Sequence, residues 1–569
     1  MSSMSSFSVP SRRSFVALSA LAGLGLPVLA GCDLPGVSKN KDGSASPSGS
    51  SATAGGSASA KGKAKAGSTD WQKLDAHIMG HNVTVEVSPV IRKNDTTSIM
   101  ALELTRAKDD ASIDRVKTDS SDTEDNKLNI SSYLGTPSIY RPGTGASLVK
   151  LLDLGSGRVW SATDGSGADD GFLEITPGEK TTSYLSFGKV DTDTVTVMVP
   201  MAGFTTVSVL DANDAKKAKI DLSIAQAALK QSSHDVPELA APVAIQRYTR
   251  ALDDSTSTHA GGKDITVTLA SDVTFASDSA DLAPGAETQL QTVVGQLAQY
   301  PDGGTLTIVG HTDDVQDDAY NQTLSEKRAN AVKTRLAQLT KLDKWQTSVS
   351  GKGESQPKIN DTTDQARAAN RRVEITLTPT SGTTKKGSSP TPNSNDASTL
   401  PASEGPSAKG SDGVTVTAKS ANSNGEVTIT LDHVTRQGGY LVGTLTCTVK
   451  PSSHSANLTV LLTDLENRSG NQRDEDTGST ATFMATDGLT LISGNERVFP
   501  ADYEQADIKA HIPLTELYVG DELLGGTVTA VGVVWPDPGG DTVTLDHPQS
   551  EDSYSTTAFR LTDIPVKNS

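Results

Sequence analysis

Few groupings in this chain have the residue types and spacing that chemistry demands. His77-Ile78-Met79-Gly80-His81 sets two imidazoles four residues apart, the interval at which a helix can offer both to one zinc ion. The glutamate of a zinc-protease helix is missing, however, and no third ligand is evident. Ser147-x-x-Lys150 has the spacing of a penicillin-recognising nucleophile, yet no Lys-Thr-Gly accompanies it, and a strand would point the two side chains to opposite faces. Asp211-x-Asn213 opens like a calcium loop and lacks its glycine and closing glutamate. Trp160 and Trp535, one in each β-rich region, read as core residues. A non-catalytic chain with no metal and no cofactor is expected, and the chemistry that remains is that of binding.

Charge removes one class of partner. With 50 Lys+Arg against 69 Asp+Glu the net charge is −19, and no folded region carries the clustered basic surface that duplex nucleic acid requires. At 569 residues the chain exceeds the size, ~250 to 300 residues, at which a single core stops growing, so about three domains are expected. Residues 33–68, rich in Ser, Gly, Ala and Lys, have the composition of a flexible coil, and 380–412 repeat it. Residues 69–230 and 413–569 hold short alternating runs such as Val83-Thr84-Val85-Glu86-Val87 and Leu445-Thr446-Cys447-Thr448-Val449, bounded by Gly, Asp and Pro. Both read as mainly-β domains, with Cys447 as a small buried side chain. Pro200, Gly203, Thr206, Val207 and Val209 recur at the same offsets as Pro536, Gly539, Thr542, Val543 and Leu545, and Leu148-x-x-Leu151-Leu152 as Leu458-x-x-Leu461-Leu462. The texture is similar to that of immunoglobulin-like β-sandwiches, with duplication a possible origin.

The first residues read as an address. Arg12-Arg13 followed by Phe15 resembles a twin-arginine export signal, and Leu29-Ala30-Gly31-Cys32 resembles the lipobox of bacterial lipoproteins. The apolar stretch between them, Val16 to Ala30, is too short and too rich in Gly and Ala for a permanent bilayer span. A signal peptide over 1–31 and acylation of Cys32 are therefore expected, with 32–68 as the tether. Only Cys447 then remains, so no internal disulfide can form. Losing Arg12 and Arg13 takes the charge from −19 to about −21, while Lys39, Lys41, Lys61, Lys63 and Lys65 outnumber Asp33 and Asp42 along the tether and suit an anionic membrane surface.

Between a connector at 231–263 and the second linker, the periodicity changes. Ile265, Val267 and Leu269 alternate as a strand; Leu290, Val293, Val294 and Leu297 recur at helical spacing; Leu306 and Ile308 mark a second strand. A helix over about 326–339, a strand near Val349, a short helix near 363–369 and a last strand through Val373, Ile375 and Leu377 complete an α+β domain at 264–379.

Within it, Phe275-Ala276-Ser277-Asp278-Ser279-Ala280-Asp281-Leu282, Gly310-His311-Thr312-Asp313, Tyr320-Asn321, Leu324-Ser325-x-x-Arg328-Ala329, Gly353-Glu354-x-x-Pro357-x-x-Asn360 and Asn370-Arg371-Arg372-Val373-Glu374-Ile375 follow one another in order. This succession resembles the OmpA-like C-terminal domain, a family that includes peptidoglycan-associated lipoproteins and flagellar stator B subunits. The resemblance covers about a fifth of the chain. It implies non-covalent binding of peptidoglycan through the diamino acid of the stem peptide, with Asp313 and Arg328 gripping the ligand and Thr312 and Asn321 adding hydrogen bonds. Ser325 can cap a helix, which would put Arg328 in its first turn, where free N–H groups and the macrodipole favour an anion. A guanidinium there holds a carboxylate bidentately, and Asp313 receives the ammonium of the same amino acid. The plainer alternative is a surface ion pair between Asp313 and Arg328. His311 is expected to hold the turn, Asn370 and Arg372 the loop and sheet edge, and Arg371 or Arg372 can touch the glycan. The acids Asp314, Asp317 and Asp318, where many family members have Gly, depart from the pattern and can reshape the loop.

The whole reads as a lipid-anchored envelope protein that ties membrane to wall, with its β domains as spacers or docking modules for other proteins. A wall-targeted enzyme with catalysis in a flanking domain is one alternative. A stator or secretion component is another, although stator B subunits carry a transmembrane helix with a functional acid.

Overall fold

The computed structural model describes residues 65–110, 116–117, 126–135, 146–162, 173–225, 241–276, 278–382, 400–419, 424–462, 488–505, 510–515, 522–549 and 558–569. The export segment, Cys32, most of the first linker and residues 383–399 of the second lie outside these. The described chain is rich in sheet and has few helices. Among its residues, no helix is long and apolar enough to cross a membrane, and no group of three or more His, Cys, Asp or Glu is placed to hold a metal.

Alternation builds both β regions. On His81–Val87 the side chains of Val83, Val85 and Val87 are buried while Asn82 faces water, and on Asn424–Thr430 Val427 and Ile429 do the same. The two regions repeat one topology strand by strand. In the first, the hairpin Gln72–Ile78/His81–Val87 continues antiparallel to Thr97–Arg106 and Lys180–Gly188. The short strand Val90–Arg92 then runs parallel to Gly203–Asp211. In the second, Val414–Lys419/Asn424–Thr430 continues to Tyr440–Val449 and Val528–Pro536, and Val434–Gln437 runs parallel to Phe559–Asn568. The hairpins Lys150–Asp153/Arg158–Ser161 and Thr490–Ser493/Glu496–Val498 match as well, each meeting the next long strand, Thr194–Val199 or Thr542–His547.

A repeat is thus visible in the topology, but not in the register that the sequence offsets suggest. Pairing sets Asp193-Thr194-Val195-Thr196-Val197 against Asp541-Thr542-Val543-Thr544-Leu545, so the offsets anchored on Pro200 and Pro536 are slipped by one strand. Arg92 and Arg436 occupy equivalent places and do the same work: Arg92 donates to the carbonyls of Val190 and Thr192, and Arg436 to Asp537 and the Gly540 carbonyl. Leu148 to Leu152 enters the strand Lys150–Asp153, whereas Leu458–Leu462 is a short helix, so that second match joins unlike elements. Period-two apolar runs resemble one another at any even offset, which is why a slip of this kind survives inspection.

The two copies are not independent bodies. Their apolar faces, among them Val85, Leu102, Phe187, Ile429, Cys447 and Trp535, belong to one contiguous core. The Thr529 hydroxyl donates to the His77 carbonyl (2.9 Å) and Thr196 to Gln437 (3.1 Å). His77 and His81 lie on the two arms of a hairpin whose turn, Met79 and Gly80, has positive φ at both positions, so they share no helical face. His81 is buried with Arg106 and Asp110, its Nδ1 2.7 Å from the carboxylate, and the Arg106 Nε–H also donates to that carboxylate at 2.7 Å.

Elements of the central domain are numbered from its first strand. The expected connector supplies two of them, β1 (Val243–Ala251) and β2 (Thr256–Gly261). They are followed by β3 (Asp264–Ala270), α1 (Ser271–Thr274), α2 (Ala286–Ala298), β4 (Gly304–Gly310), α3 (Asp318–Leu339), β5 (Trp345–Gly351), α4 (Asp364–Asn370) and β6 (Arg372–Pro379). In the sheet β6 lies between β3 and β4, antiparallel to both, and β5 is the outer strand, parallel to β4. Leu290, Val293 and Leu297 of α2 and Ala329, Val332 and Leu336 of α3 pack on Val267, Leu306, Ile308 and Ile375 in a core of their own. Two glycines seat α3 close to the sheet: a Cβ on Gly310 would collide with the Ser325 carbonyl, and one on Gly351 with the Ser325 hydroxyl. At the other side of the sheet β1 pairs with β2 and also with Arg158–Ser161, Glu496–Val498 and Asp502–Gln505. One strand therefore joins the central sheet to both β copies. The second linker ends earlier than expected, since Ser407–Lys409 is already a strand on Arg560–Thr562.

Candidate functional site

The site forms where β4 and α3 meet the ends of β3 and β6. β4 ends in Gly310, and the chain turns through His311, Thr312 and Asp313 before α3 begins. Helix α3 starts at Asp318, eight residues before the expected position, with the Asp317 carboxylate accepting from the Tyr320 N–H (2.9 Å) as its cap. Ser325 is therefore inside the helix, where its hydroxyl donates to the Gln322 carbonyl and accepts from the Gly353 N–H. Arg328 lies in the third turn, and the expected help from the helix N-terminus does not apply to it.

Arg328 is 5 % exposed. Its Nε–H donates to the Ser279 carbonyl (3.0 Å), and its guanidinium lies over the Phe275 ring, 5.2 Å from the centroid. Among the described residues no carboxylate forms an ion pair with it. Burial lowers its pKa, offset by the nearby Asp272, Asp278 and Tyr320 and reinforced by Arg371. A guanidinium withdrawn from water without a directly bonded carboxylate is held at a cost that a bound anion would reduce.

Asp313 does not pair with Arg328. One of its oxygens accepts from Arg371 Nη1 (2.7 Å) and the other from the Val315 N–H (3.3 Å). Arg371 also grips Asp272 through Nε and Nη2, at 2.7 and 2.6 Å. Asp272, Arg371 and Asp313 thus form a chain of charges that fixes the Asp313 carboxylate, which is 14 % exposed, and Asp272 and Arg371 also act electrostatically on Arg328. The Thr312 hydroxyl is buried with no hydrogen-bond partner among the described residues. Asn321 is 1 % exposed and its amide is already committed, donating to the carbonyls of Asp313 and Gln316 and to Glu354 (2.6 Å). Its place is to position the loop that carries Asp313.

The acids that depart from the family pattern are absorbed by the fold. Asp314 is held below the usual carboxylate range by Arg367, whose Nε lies 2.6 Å away, and Asp317 is the helix cap. Asn370 accepts from the N–H groups of Lys358 and Ile359, and Arg372 pairs with Glu374 (2.7 Å), so both brace the loop and the sheet edge. Arg371 and Asp272 were not singled out as a pair by sequence. They lie 99 residues apart, and only the antiparallel pairing of β3 with β6 brings them together.

His311 is 2 % exposed, and its N–H holds the Arg372 carbonyl (2.9 Å). Burial, reinforced by the charge of Arg372, lowers its pKa to about 4, against the opposing pull of Glu374. Because the folded pKa lies below the unfolded 6.5, stability is complete above pH 6.5 and declines as pH falls toward 4, by roughly 3 kcal/mol. Glu374, whose burial is outweighed by Arg372 and His311 so that its pKa is lowered, loses its contribution only below about pH 4.5, its ordinary value. Denaturant titrations at pH 7.5 and 5.0 are expected to differ for the wild type, and His311→Gln is expected to shrink that difference.

The site thus holds a buried arginine that forms no ion pair among the described residues and an aspartate braced by Arg371. Residues 274–371 match the model of the OmpA family, and the chain belongs to that family through this domain. Its relatives include the putative lipoprotein YfiB of Escherichia coli, 35 % identical over 111 residues that make up 19 % of this chain and 68 % of the relative. The outer membrane porin F of Pseudomonas aeruginosa is 40 % identical over 103 residues, 18 % of this chain and 29 % of that protein. The probable lipoprotein YiaD of Escherichia coli is 34 % identical over 119 residues, 21 % and 53 %. The chain thus spans about a third to a half of the length of the first relatives. Among solved structures, the peptidoglycan-associated lipoprotein from Burkholderia pseudomallei is 27 % identical, covering 18 % of this chain and 86 % of that one, with a TM-score of 0.16.

Proposed function

We propose that this protein is a lipid-anchored component of the bacterial envelope that holds peptidoglycan non-covalently and so ties the membrane to the wall. Acylation of Cys32 after export supplies the anchor, in keeping with the lipobox and with the two relatives named as lipoproteins. The duplicated β copies serve as immunoglobulin-like spacer modules. In the central domain Arg328 takes the carboxylate of the diamino acid and Asp313 its ammonium, Thr312 supplies its unpaired hydroxyl, and Asn321 holds the loop. The observation that carries this reading is the buried Arg328 guanidinium, which forms no ion pair among the described residues and shares the field of Asp272 and Arg371 with the braced Asp313 carboxylate.

The test is retention of the chain from residue 33 onward on purified sacculi. Free diaminopimelate, which bears ammonium and carboxylate on one carbon, is expected to release it, and a diamine without carboxylate is not. Failure of the wild type to be retained, or equal release by both compounds, would overturn the reading.

A further inference from the structure

Where the two β copies meet, the structure holds a cleft of about 330 Å³. Its floor is one face of the first copy's sheet. Thr194 and Thr196 stand two residues apart on the strand Thr194–Val199 and so share a face. Thr206 and Leu152 are the cross-strand partners of Thr196 on its two sides, which sets three hydroxyls and a leucine in one patch. Leu152 and Leu154 belong to a small apolar core shared with Tyr440, Val442 and Val534 of the second copy. That copy also supplies the wall. Gln437 lines the cleft, and its Oε1 accepts from the Thr196 hydroxyl (3.1 Å). Gly438, with a φ of +56°, comes so close that a Cβ on it would strike the Leu154 carbonyl. Both copies therefore fix the cleft before any ligand arrives.

The side chains there are neutral in sum. Asp153 is the one charged side chain in the lining, and its carboxylate is spent on Arg158, on the Ser156 hydroxyl and on the N–H groups of Gly155 and Ser156. The Thr194 hydroxyl and the Gln437 amide N–H groups, by contrast, have no hydrogen-bond partner among the described residues. We propose that this cleft is a second binding site, separate from the Asp313–Arg328 pocket and independent of its role, that takes one neutral sugar unit of a glycan. A pyranose presents C–H groups that suit the leucine floor, and hydroxyls that donate and accept as the threonines do. An ion would find no uncommitted charged side chain. An extended peptide would find no open edge at Thr196, whose strand is paired on both sides there.

The test is calorimetric titration of the chain from residue 33 onward with two neutral oligosaccharides: chitotetraose, whose rings carry acetamido groups, and maltotetraose, whose rings do not. The wild type is expected to bind at least one of them with a Kd of about 1 mM or below. Either preference sustains the site and assigns the class of glycan. Thr194→Val and Gln437→Leu are expected to bind the preferred sugar about fivefold more weakly, the effect of one hydrogen bond between neutral groups. Arg328→Met is expected to bind it as the wild type does. A wild type that binds neither sugar, or undiminished binding by Thr194→Val, would overturn the proposal. Loss of binding in Arg328→Met would overturn it too, by placing the sugar in the other pocket. Gln437→Leu also gives up the bond from Thr196, so its fold is checked by circular dichroism. Should that variant unfold, Thr194→Val carries the test, since it exchanges a hydroxyl without a protein partner for a methyl of the same shape.

Discussion

Arg328→Met is expected to abolish retention on sacculi while leaving the fold as stable as before. The two halves of this result have one cause. In the free protein the guanidinium is buried, donates to one backbone carbonyl and lies over Phe275, but no carboxylate among the described residues forms an ion pair with it. Its desolvation is a debt that folding carries, and an apolar chain of similar length removes that debt while keeping contact with the ring. A ligand carboxylate, by contrast, would gain a charge-assisted bidentate bond worth about 3 kcal/mol, so affinity should fall roughly a hundredfold. Arg328→Lys should lose most of this as well, because a point charge cannot form the paired bonds. Thermal melting and sacculus retention, measured on the same preparations, decide the matter. A variant that melts earlier and still binds would show that Arg328 serves the fold alone.

The second large effect lies far from the pocket. Asp110→Ala is expected to destabilise the protein by about 3 kcal/mol, because it removes the carboxylate that both the fully buried Arg106 and the buried His81 hold at 2.7 Å. Burial would raise the Asp110 carboxyl, but the Asn82 N–H, Arg106 and His81 outweigh it and hold the pKa below 3.8. The contribution is therefore present above pH 3.8 and is lost as pH falls through the lowered value. Denaturant unfolding at pH 7 measures the loss. A change below about 1 kcal/mol would mean that the network is replaceable by water.

The central domain was legible in advance because its strands and helices are short, regular and bounded by turn residues. Two displacements stand out: β1 and β2 arise where a connector was expected, and the start of α3, eight residues early, has a local origin. Apolar periodicity is confined to the second half of that helix, at Ala329, Val332 and Leu336, whereas the first half is polar and is set by the Asp317 cap, which in sequence is one acid among several. Asp313 and Arg328 were recognisable from their motifs, but their surroundings were not. Arg371 reaches Asp313 across 58 residues and Asp272 across 99, and no local pattern encodes such a meeting. The role of Asn321 changed for the same reason: its partners Gln316 and Glu354 come from two different loops. In the β regions the pattern of burial was readable strand by strand, while the pairing of strands was not. The duplicated topology emerges only when parallel partners such as Val90–Arg92 with Gly203–Asp211 are known.

The strand Val243–Ala251 gives this arrangement a mechanical meaning. A grip on the wall hung from a floppy string would transmit no direction, only distance. Here the strand pairs with Thr256–Gly261 of the central domain along Arg247 to Arg250, and with three strands of the β copies along Val243 to Gln246 and Thr249 to Ala251. Under the proposed function, a pull on this domain from the wall would be shared among those backbone bonds, and the β copies would move with the domain that is pulled.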